Sequence, residues 1–194
     1  MIGILCQHRS GHSAYEQYLK NKTGLETLPE LDINQKNAQD YFVDLPADGI
    51  FSMMPFDNCY DYMKKYNNID WQIFLRKDVV TQCLSFIYTN KTGITRDNQS
   101  SIEVVDINLI QYFYNNWKII DDVVSKNEYP VYYYEDFNMP NLSIQKNNND
   151  YRKLIKNIDS VLEKIDQLSF TLGTWNRSIP SSSILLTSSS VGVP

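Results

Sequence analysis

The segment from residue 3 to residue 19 constrains the fold more than any other part of the chain. Residues 4–6 (Ile-Leu-Cys) form a short apolar run that suits a strand buried on both faces, and a polar turn follows. Gly11 permits backbone conformations that other residues rarely adopt, and a helix can begin from Ser13. A strand, a tight turn and a helix in this order are typical of α/β folds, so the sequence predicts a central, mainly parallel β-sheet flanked by helices.

The polar turn after the first strand is suited to binding an anion. Its backbone N–H groups point outward, and the start of the helix adds a partial positive charge. Arg9 contributes a full positive charge, and Ser10 and Ser13 contribute hydroxyl donors. These features favour a phosphate or sulfate group as the ligand. A plain connection between a strand and a helix has the same local pattern, so the turn alone leaves the function open.

The length and the charge of the chain limit the classes of function. With 194 residues the chain is large enough for one α/β domain, which we place at residues 1–175. The serine-rich residues 176–194 are predicted to be a disordered tail. The formal net charge of −5 and the lack of a basic stripe argue against a nucleic-acid binder.

The apolar segments and the cysteines predict a cytoplasmic protein without a membrane partner. The longest apolar stretches are far shorter than the ~18 residues that a membrane-spanning helix needs. The three cysteines, at residues 6, 59 and 83, are widely spaced, which suits buried free thiols in a reducing compartment.

A second connection from a strand to a helix lies at residues 71–88. Residues 71–75 are predicted to form a buried strand, and Asp78 is the predicted N-cap of the helix. Arg76 then lies at the carboxyl end of the strand, and Ser85 lies about two turns along the helix. Ligands of open α/β sheets bind at the carboxyl ends of the strands, so Arg76 and the first turn are expected at the same edge.

The remaining elements follow from hydrophobic periodicity. Residues 49–54 and 129–134 are predicted strands, and residues 56–66 a short helix. A long helix from about residue 107 is predicted to bury one stripe of side chains, with Phe113 and Ile120 beside it. The stripe consists of Ile107, Ile110, Tyr114, Trp117, Asp121 and Val124. Residues 151–168 are predicted to form one final helix, and the polar residues 91–101, which include Arg96, a lid.

Three motifs together resemble the sulfotransferases that use 3′-phosphoadenosine 5′-phosphosulfate (PAPS), and in particular the small bacterial and phage-type members similar to trehalose sulfotransferase. The motifs are R-S-G-H-S at residues 9–13, L-R-K-D-V-V-T-Q-C-L-S-F at residues 75–86 and Y-E-D-F-N-M-P at residues 134–140. In the relatives the middle motif has a similar R-x-D-x-x-x-Q-x-x-S form. The resemblance covers about residues 1–140 and implies a three-layer, P-loop-like fold.

The resemblance implies a role for each motif. The loop that binds the 5′-phosphosulfate corresponds to Arg9, Ser10, Gly11, His12 and Ser13. Within it Arg9 takes the place of the catalytic cation, and His12 replaces the usual serine or threonine. The contacts of the 3′-phosphate correspond to Arg76 and Ser85, and Lys77 can share or replace the role of Arg76. The Y-E-D-F motif is usually structural in the family. The late glycine-rich cofactor loop of the family has no clean match, with at best a remnant at residues 173–177.

The acceptor and the catalytic base are also implied by the resemblance. The acceptor is expected to be a hydroxyl group of a carbohydrate or a small metabolite. Trehalose-type relatives carry a glutamate just after the first helix, and Glu30, which follows Pro29, is the nearest match. Glu26 and Asp32 are alternatives, because a shift of a few residues in the alignment would select them instead. Transfer then releases adenosine 3′,5′-bisphosphate and requires no metal ion.

Other classes of protein fit the sequence less well. The P-loop NTPase motif G-x-x-x-x-G-K-S/T is absent, and a cysteine phosphatase would need an arginine where His12 stands. Cys6, His8 and His12 are predicted to point apart, which argues against a metal site. The alternative that stays open is a non-catalytic nucleotide-binding or anion-binding protein that retains the fold. The sequence leaves the choice between a monomer and a homodimer open.

Overall fold

Four short, mostly apolar segments pair into a parallel sheet. The computed structural model describes residues 1–28, 48–93, 101–104, 106, 108–137 and 150–169. Its strands are β1 (Ile2–Cys6), β2 (Ile50–Met53), β3 (Asp70–Leu75) and β4 (Val131–Tyr133). Their order is β2-β1-β3-β4, and every neighbouring pair is parallel. All residues of β1 and β2 are buried, as is typical of parallel strands that are covered on both faces.

The helices described by the structure cover the sheet and extend the core. They are α1 (His12–Thr23), α2 (Cys59–Lys65), α3 (Val79–Thr92), α4 (Asn108–Ser125), α5 (Tyr151–Leu154) and α6 (Ile158–Ser169), and a 3₁₀ helix spans Tyr134–Asp136. Within these ranges no helix is both long enough and apolar enough to cross a membrane.

Side chains alternate between the two faces of the sheet and divide its core in two. One face packs against α1 through Ile4, Cys6, Phe74, Tyr15 and Leu19. The other face packs against α2 and α4 through Leu5, Ile73, Met63, Ile120 and Val123. The described chain is therefore a three-layer α/β fold, which confirms the predicted fold class. The segments at residues 29–47 and 94–100, which include the larger part of the predicted lid, and the predicted tail lie outside the described residues.

The first strand, turn and helix form as the sequence predicts. β1 ends at Cys6, and α1 begins at His12 after Gly11, whose φ of 88° is left-handed. The second connection is also confirmed, because the Asp78 carboxylate accepts a hydrogen bond of 2.9 Å from the backbone N–H of Thr81 at the start of α3. Both connections lie at the edge of the sheet where the carboxyl ends of the strands are.

Two predictions about the helices are wrong in detail. Residues 151–168 form two helices, because Ile155 pairs with Ile102 in a β-bridge and the Asn157 side chain bonds the backbone N–H and C=O of Val104. The buried stripe of α4 is displaced from the predicted one. Asp121 is only partly buried, whereas the buried residues are Ile110, Phe113, Asn116, Trp117, Ile120 and Val123. The displacement follows from the position of α4, which contacts the sheet at one end and a cluster with α3 and α6 at the other.

Candidate anion-binding site

The loop between β1 and α1, residues 7–11, has an unusual backbone. Arg9 and Gly11 both have left-handed conformations, with φ of 62° and 88°. Between them Ser10 is fully buried, and its backbone N–H donates to the carbonyl of Gln7 at 3.1 Å. The left-handed conformation of a non-glycine residue costs on the order of 1 kcal/mol or more, so surrounding contacts must hold Arg9 in place.

Two buried glutamines hold this loop at His8. The backbone N–H of His8 donates to Gln7 Oε1 at 3.0 Å, and its carbonyl accepts from Gln82 Nε2 at 2.8 Å. Gln7 Nε2 in turn donates to the carbonyl of Phe113 at 2.9 Å. The loop is therefore anchored to α3 and to α4, which gives it a defined shape before any ligand arrives.

The end of the loop lies against an aromatic ring. A Cβ atom at Gly11 would lie 2.6 Å from Cδ2 of Tyr134, so only glycine fits between α1 and the 3₁₀ helix. Gly11 is also the N-cap of α1 and has no side chain to accept from the first turn, which contains no acidic residue. The first N–H groups of a helix have no partners within the helix, so this end of α1 favours an anion.

Arg9 joins the loop to the second motif. Its Nε donates to Ser85 Oγ at 3.1 Å, across 76 positions of the sequence. Ser85 is buried on α3, and its hydroxyl fixes the direction of the guanidinium. Nearby in the sequence, Ser10 Oγ is buried without a hydrogen-bond partner among the described residues. A buried hydroxyl without a partner is costly, which makes Ser10 a candidate ligand contact.

Arg76 and Lys77 follow β3 and face the 3₁₀ helix. The Arg76 guanidinium carbon lies 4.8 Å from the centre of the Tyr134 ring, and its Nε lies 3.7 Å from Glu135 Oε1. The backbone N–H of Lys77 donates to Glu135 Oε2 at 2.9 Å, and its ammonium group bonds to Asp136. The bond to Asp136 raises the pKa of Lys77. Any phosphate that binds these cations therefore competes with carboxylates of the chain itself.

The structure brings most of the predicted site residues to one edge of the sheet. Arg9 and Ser85 are in contact, and Gly11 is linked to Arg76 through the ring of Tyr134. His12 and Ser13 form the start of α1, where Ser13 is exposed. The resemblance assigns Ser85 to the same phosphate as Arg76, whereas its described hydrogen bond is to Arg9.

The predicted base falls largely outside the described part of the chain. Glu30 and Asp32 lie in the undescribed residues 29–47. Glu26, the third candidate, is exposed and pairs with Lys20. In the described ranges no group of three or more His, Cys, Asp and Glu side chains is placed to hold a metal ion.

No protein-family model matches the chain, and no curated protein matches it significantly.

Sequence reasoning missed the two glutamines that hold the loop, Gln7 and Gln82. Gln82 occupies the Q position of the R-x-D-x-x-x-Q-x-x-S form, so the motif itself contained the signal for its role. A cavity of about 430 Å³ beside Arg9 was also missed; it is lined by side chains of the loop, α3 and α4, among them His8, Phe86, Thr89, Leu109 and Tyr112. No local sequence pattern could have indicated the cavity, because its walls come from the loop after β1, from α3 and from α4.

Proposed function

We propose that the chain transfers a sulfuryl group from PAPS to a hydroxyl acceptor by in-line displacement. The observation that carries the proposal is the Arg9–Ser85 hydrogen bond of 3.1 Å, which brings two of the three sulfotransferase-like motifs together. PAPS has two separate anionic ends and needs two cationic centres. Arg9 follows β1 and Arg76 follows β3, and these strands are neighbours in the sheet. Adjacent strands lie ~4.8 Å apart, so both centres are within reach of one nucleotide.

In the proposed reaction, different residues bind the two anionic ends of PAPS. The loop of Arg9, Ser10 and Gly11, with the start of α1, would hold the phosphosulfate and stabilise charge on its oxygens. Arg76 and Lys77 would bind the 3′-phosphate after displacing Glu135 and Asp136. The acceptor oxygen bonds to sulfur while the sulfur–oxygen bond to the 5′-phosphate breaks and its electron pair leaves with adenosine 3′,5′-bisphosphate. The acceptor proton passes to a base, for which Glu30 is the candidate.

Calorimetry with adenosine 3′,5′-bisphosphate and AMP tests the nucleotide site. A charged hydrogen-bond partner is worth ~1.5–3 kcal/mol, so the bisphosphate should bind roughly 10- to 150-fold more tightly than AMP. Arg76→Ala should remove most of this difference, because AMP lacks the 3′-phosphate. Arg152→Ala, which removes an exposed cation on α5, is the matched control and should change neither affinity. Equal affinities of the unaltered chain for the two nucleotides would overturn the proposal.

The base is tested by turnover with a hydroxyl acceptor. Glu30→Gln should leave the affinity for adenosine 3′,5′-bisphosphate nearly unchanged and lower kcat by about 10²-fold or more, as expected for loss of a general base. Glu26→Gln and Asp32→Asn serve as controls and should retain activity. If a control variant loses activity and Glu30→Gln does not, the base is the residue changed in that control, and the proposed reaction still stands.

A non-catalytic nucleotide-binding protein is the second candidate function. The observation that favours it is His12 at the first position of α1, where the sulfotransferases have a serine or threonine hydroxyl. Such a protein would pass the calorimetric test and show no turnover with PAPS and any hydroxyl acceptor. Restoration of activity by His12→Thr would identify His12 as the cause.

A further inference from the structure

The cavity beside Arg9 has aromatic walls that lie nearly parallel. The rings of His8 and Phe86 are stacked, with centres 5.3 Å apart and an angle of 24° between the planes. The rings of Phe86 and Tyr112 are 6.0 Å apart at 22°. Leu109 adds an apolar side chain to the lining. Flat apolar walls of this kind suit a planar ring, which can stack on them over a large area.

The side chain of Tyr112 makes part of the aromatic wall of the cavity accessible to solvent. It is 50% exposed, and no other large apolar side chain in the described part of the chain is as exposed. Its ring continues the stack of Phe86, which is itself buried. The volume of about 430 Å³ lies within the range of sites for small organic molecules.

Apolar surface predominates in the cavity, and its polar groups belong to His8, Arg9, Thr89, Asn90 and Tyr112. Thr89 Oγ1 is buried and has no hydrogen-bond partner among the described residues. The Asn90 amide already donates to the carbonyl of Phe86 at 3.1 Å. Thr89 lies four residues after Ser85 on α3, so their side chains are on the same face of the helix, one turn apart. The unused hydroxyl is thus next to the contact between Ser85 and Arg9.

We propose that this cavity is the acceptor site and that its ligand is an aromatic hydroxyl compound. The inference rests on the proposed function and names its substrate class. The aromatic ring would stack on His8, Phe86 and Tyr112, and its hydroxyl would bond to Thr89 Oγ1 beside Arg9. There it can attack the sulfuryl group, with the bond changes given above. A carbohydrate fits less well, because the predominantly apolar surface of the cavity would leave many of its hydroxyl groups without a replacement for the water that they lose.

Of the residues that line the cavity, Arg9 alone is also one of the proposed nucleotide contacts. His8, at the start of the loop, contacts the rings of α3 and α4, whereas Gly11, at its end, lies against Tyr134. Arg76 stacks on that same Tyr134 ring. A nucleotide that extends from the loop to Arg76 therefore leaves the cavity free for a second ligand.

Fluorescence titration with 2-naphthol tests the ligand class. The compound should bind the chain with and without adenosine 3′,5′-bisphosphate, and an excess of trehalose should not displace it. Tyr112→Ala should weaken binding by about fivefold or more, because it removes a stacking ring. Tyr114→Ala is the matched control: it removes a ring of the same size from α4, outside the cavity lining, and should leave binding unchanged.

A substitution at Thr89 tests the contribution of its hydroxyl group separately. Thr89→Val replaces the hydroxyl with a methyl group of similar size, so binding of 2-naphthol should weaken by roughly 2- to 10-fold. Binding of naphthalene, which has no hydroxyl group, should not weaken.

Several outcomes would overturn the inference while leaving the proposed function intact. These are failure of 2-naphthol to bind a chain that binds the bisphosphate, displacement of 2-naphthol by trehalose, and competition between 2-naphthol and the bisphosphate for one site. Equal weakening in the Tyr112→Ala and Tyr114→Ala variants would also overturn it. If the chain binds 2-naphthol but binds adenosine 3′,5′-bisphosphate and AMP with equal affinity, the proposed function is overturned instead.

Discussion

Gly11 is the residue at which backbone conformation and packing are both restrictive. Its φ is 88°, and a Cβ atom there would lie 2.6 Å from the ring of Tyr134. Gly11→Ala should therefore lower the free energy of unfolding by ~1–3 kcal/mol and weaken binding of adenosine 3′,5′-bisphosphate, since the loop must shift to relieve the clash. Urea denaturation and calorimetry measure the two effects.

Gly24 provides a control for the backbone part of this effect. It also has a left-handed conformation, with φ of 74°, but a Cβ atom there would meet no atom within 4 Å. Gly24→Ala should cost ~1 kcal/mol and leave nucleotide affinity unchanged. If both variants lose the same stability and both keep full affinity, the contact of Gly11 with Tyr134 does not shape the site.

The sequence indicated candidate residues of the site, but it could not predict the contacts between them. Arg9 was identified because a charged side chain at a strand end suits an anion, and Ser85 because its motif resembles that of the sulfotransferases. The bond between them depends on the left-handed backbone of Arg9 and on the position of α3. Both are set by tertiary packing, which a local pattern does not contain.

On α4, Asp121 is a charged side chain in a partly buried position. Burial is the main cause that raises the pKa of Asp121, and the neighbouring Asp122 raises it further. A carboxyl whose pKa is raised by folding destabilises the folded state while it is ionised, and this effect disappears as the pH falls through the raised pKa to the ordinary value. Asp121→Asn should therefore raise the melting temperature at pH 7, by about 1–3 °C, and have little effect near pH 3.

Asp122→Asn is the matched control on the same helix. Asp122 pairs with Lys126 at 3.2 Å on the exposed side, and an exposed pair of this kind contributes at most ~0.5 kcal/mol. Its replacement should leave the melting temperature unchanged or lower it slightly. A higher melting temperature for both variants at pH 7 would assign the effect to net charge instead of burial.

Elements with strong local signals were predicted well, and elements that depend on distant partners were not. β1 has a continuous apolar run, and α1 follows a glycine that permits the turn. α3 has a capping aspartate directly before it in the sequence. The break between α5 and α6 has no such signal, since residues 151–168 keep helical periodicity throughout. It arises because Asn157 bonds the backbone of Val104, 53 residues away.

At the scale of the whole molecule, all three thiols lie in the packed core. Cys6, Cys59 and Cys83 are free and buried, as the sequence predicted. Burial raises the pKa of Cys59 and of Cys83 to about 12, so these two residues form few thiolates at pH 8 while the chain is folded. A disulfide exchange reagent at pH 8 should therefore modify the native chain slowly, with all three thiols reacting quickly in denaturant.

An added thiol in an exposed position gives the comparison for this measurement. Asn21→Cys places a cysteine on the exposed side of α1 and should react within the mixing time, while the native three remain protected. Rapid reaction of the unaltered chain would mean that its core opens far more readily than its packing indicates.

The contacts of the Tyr134 ring make the residues that positions 11, 76 and 134 can tolerate depend on one another. The same ring fills the space that a side chain at position 11 would need and supports the guanidinium of Arg76. A smaller residue at position 134 would make room at position 11 and at the same time remove the support of Arg76. Sequence drift at any one of these positions is therefore restricted by the other two, and descendants of this chain should change all three together or none of them.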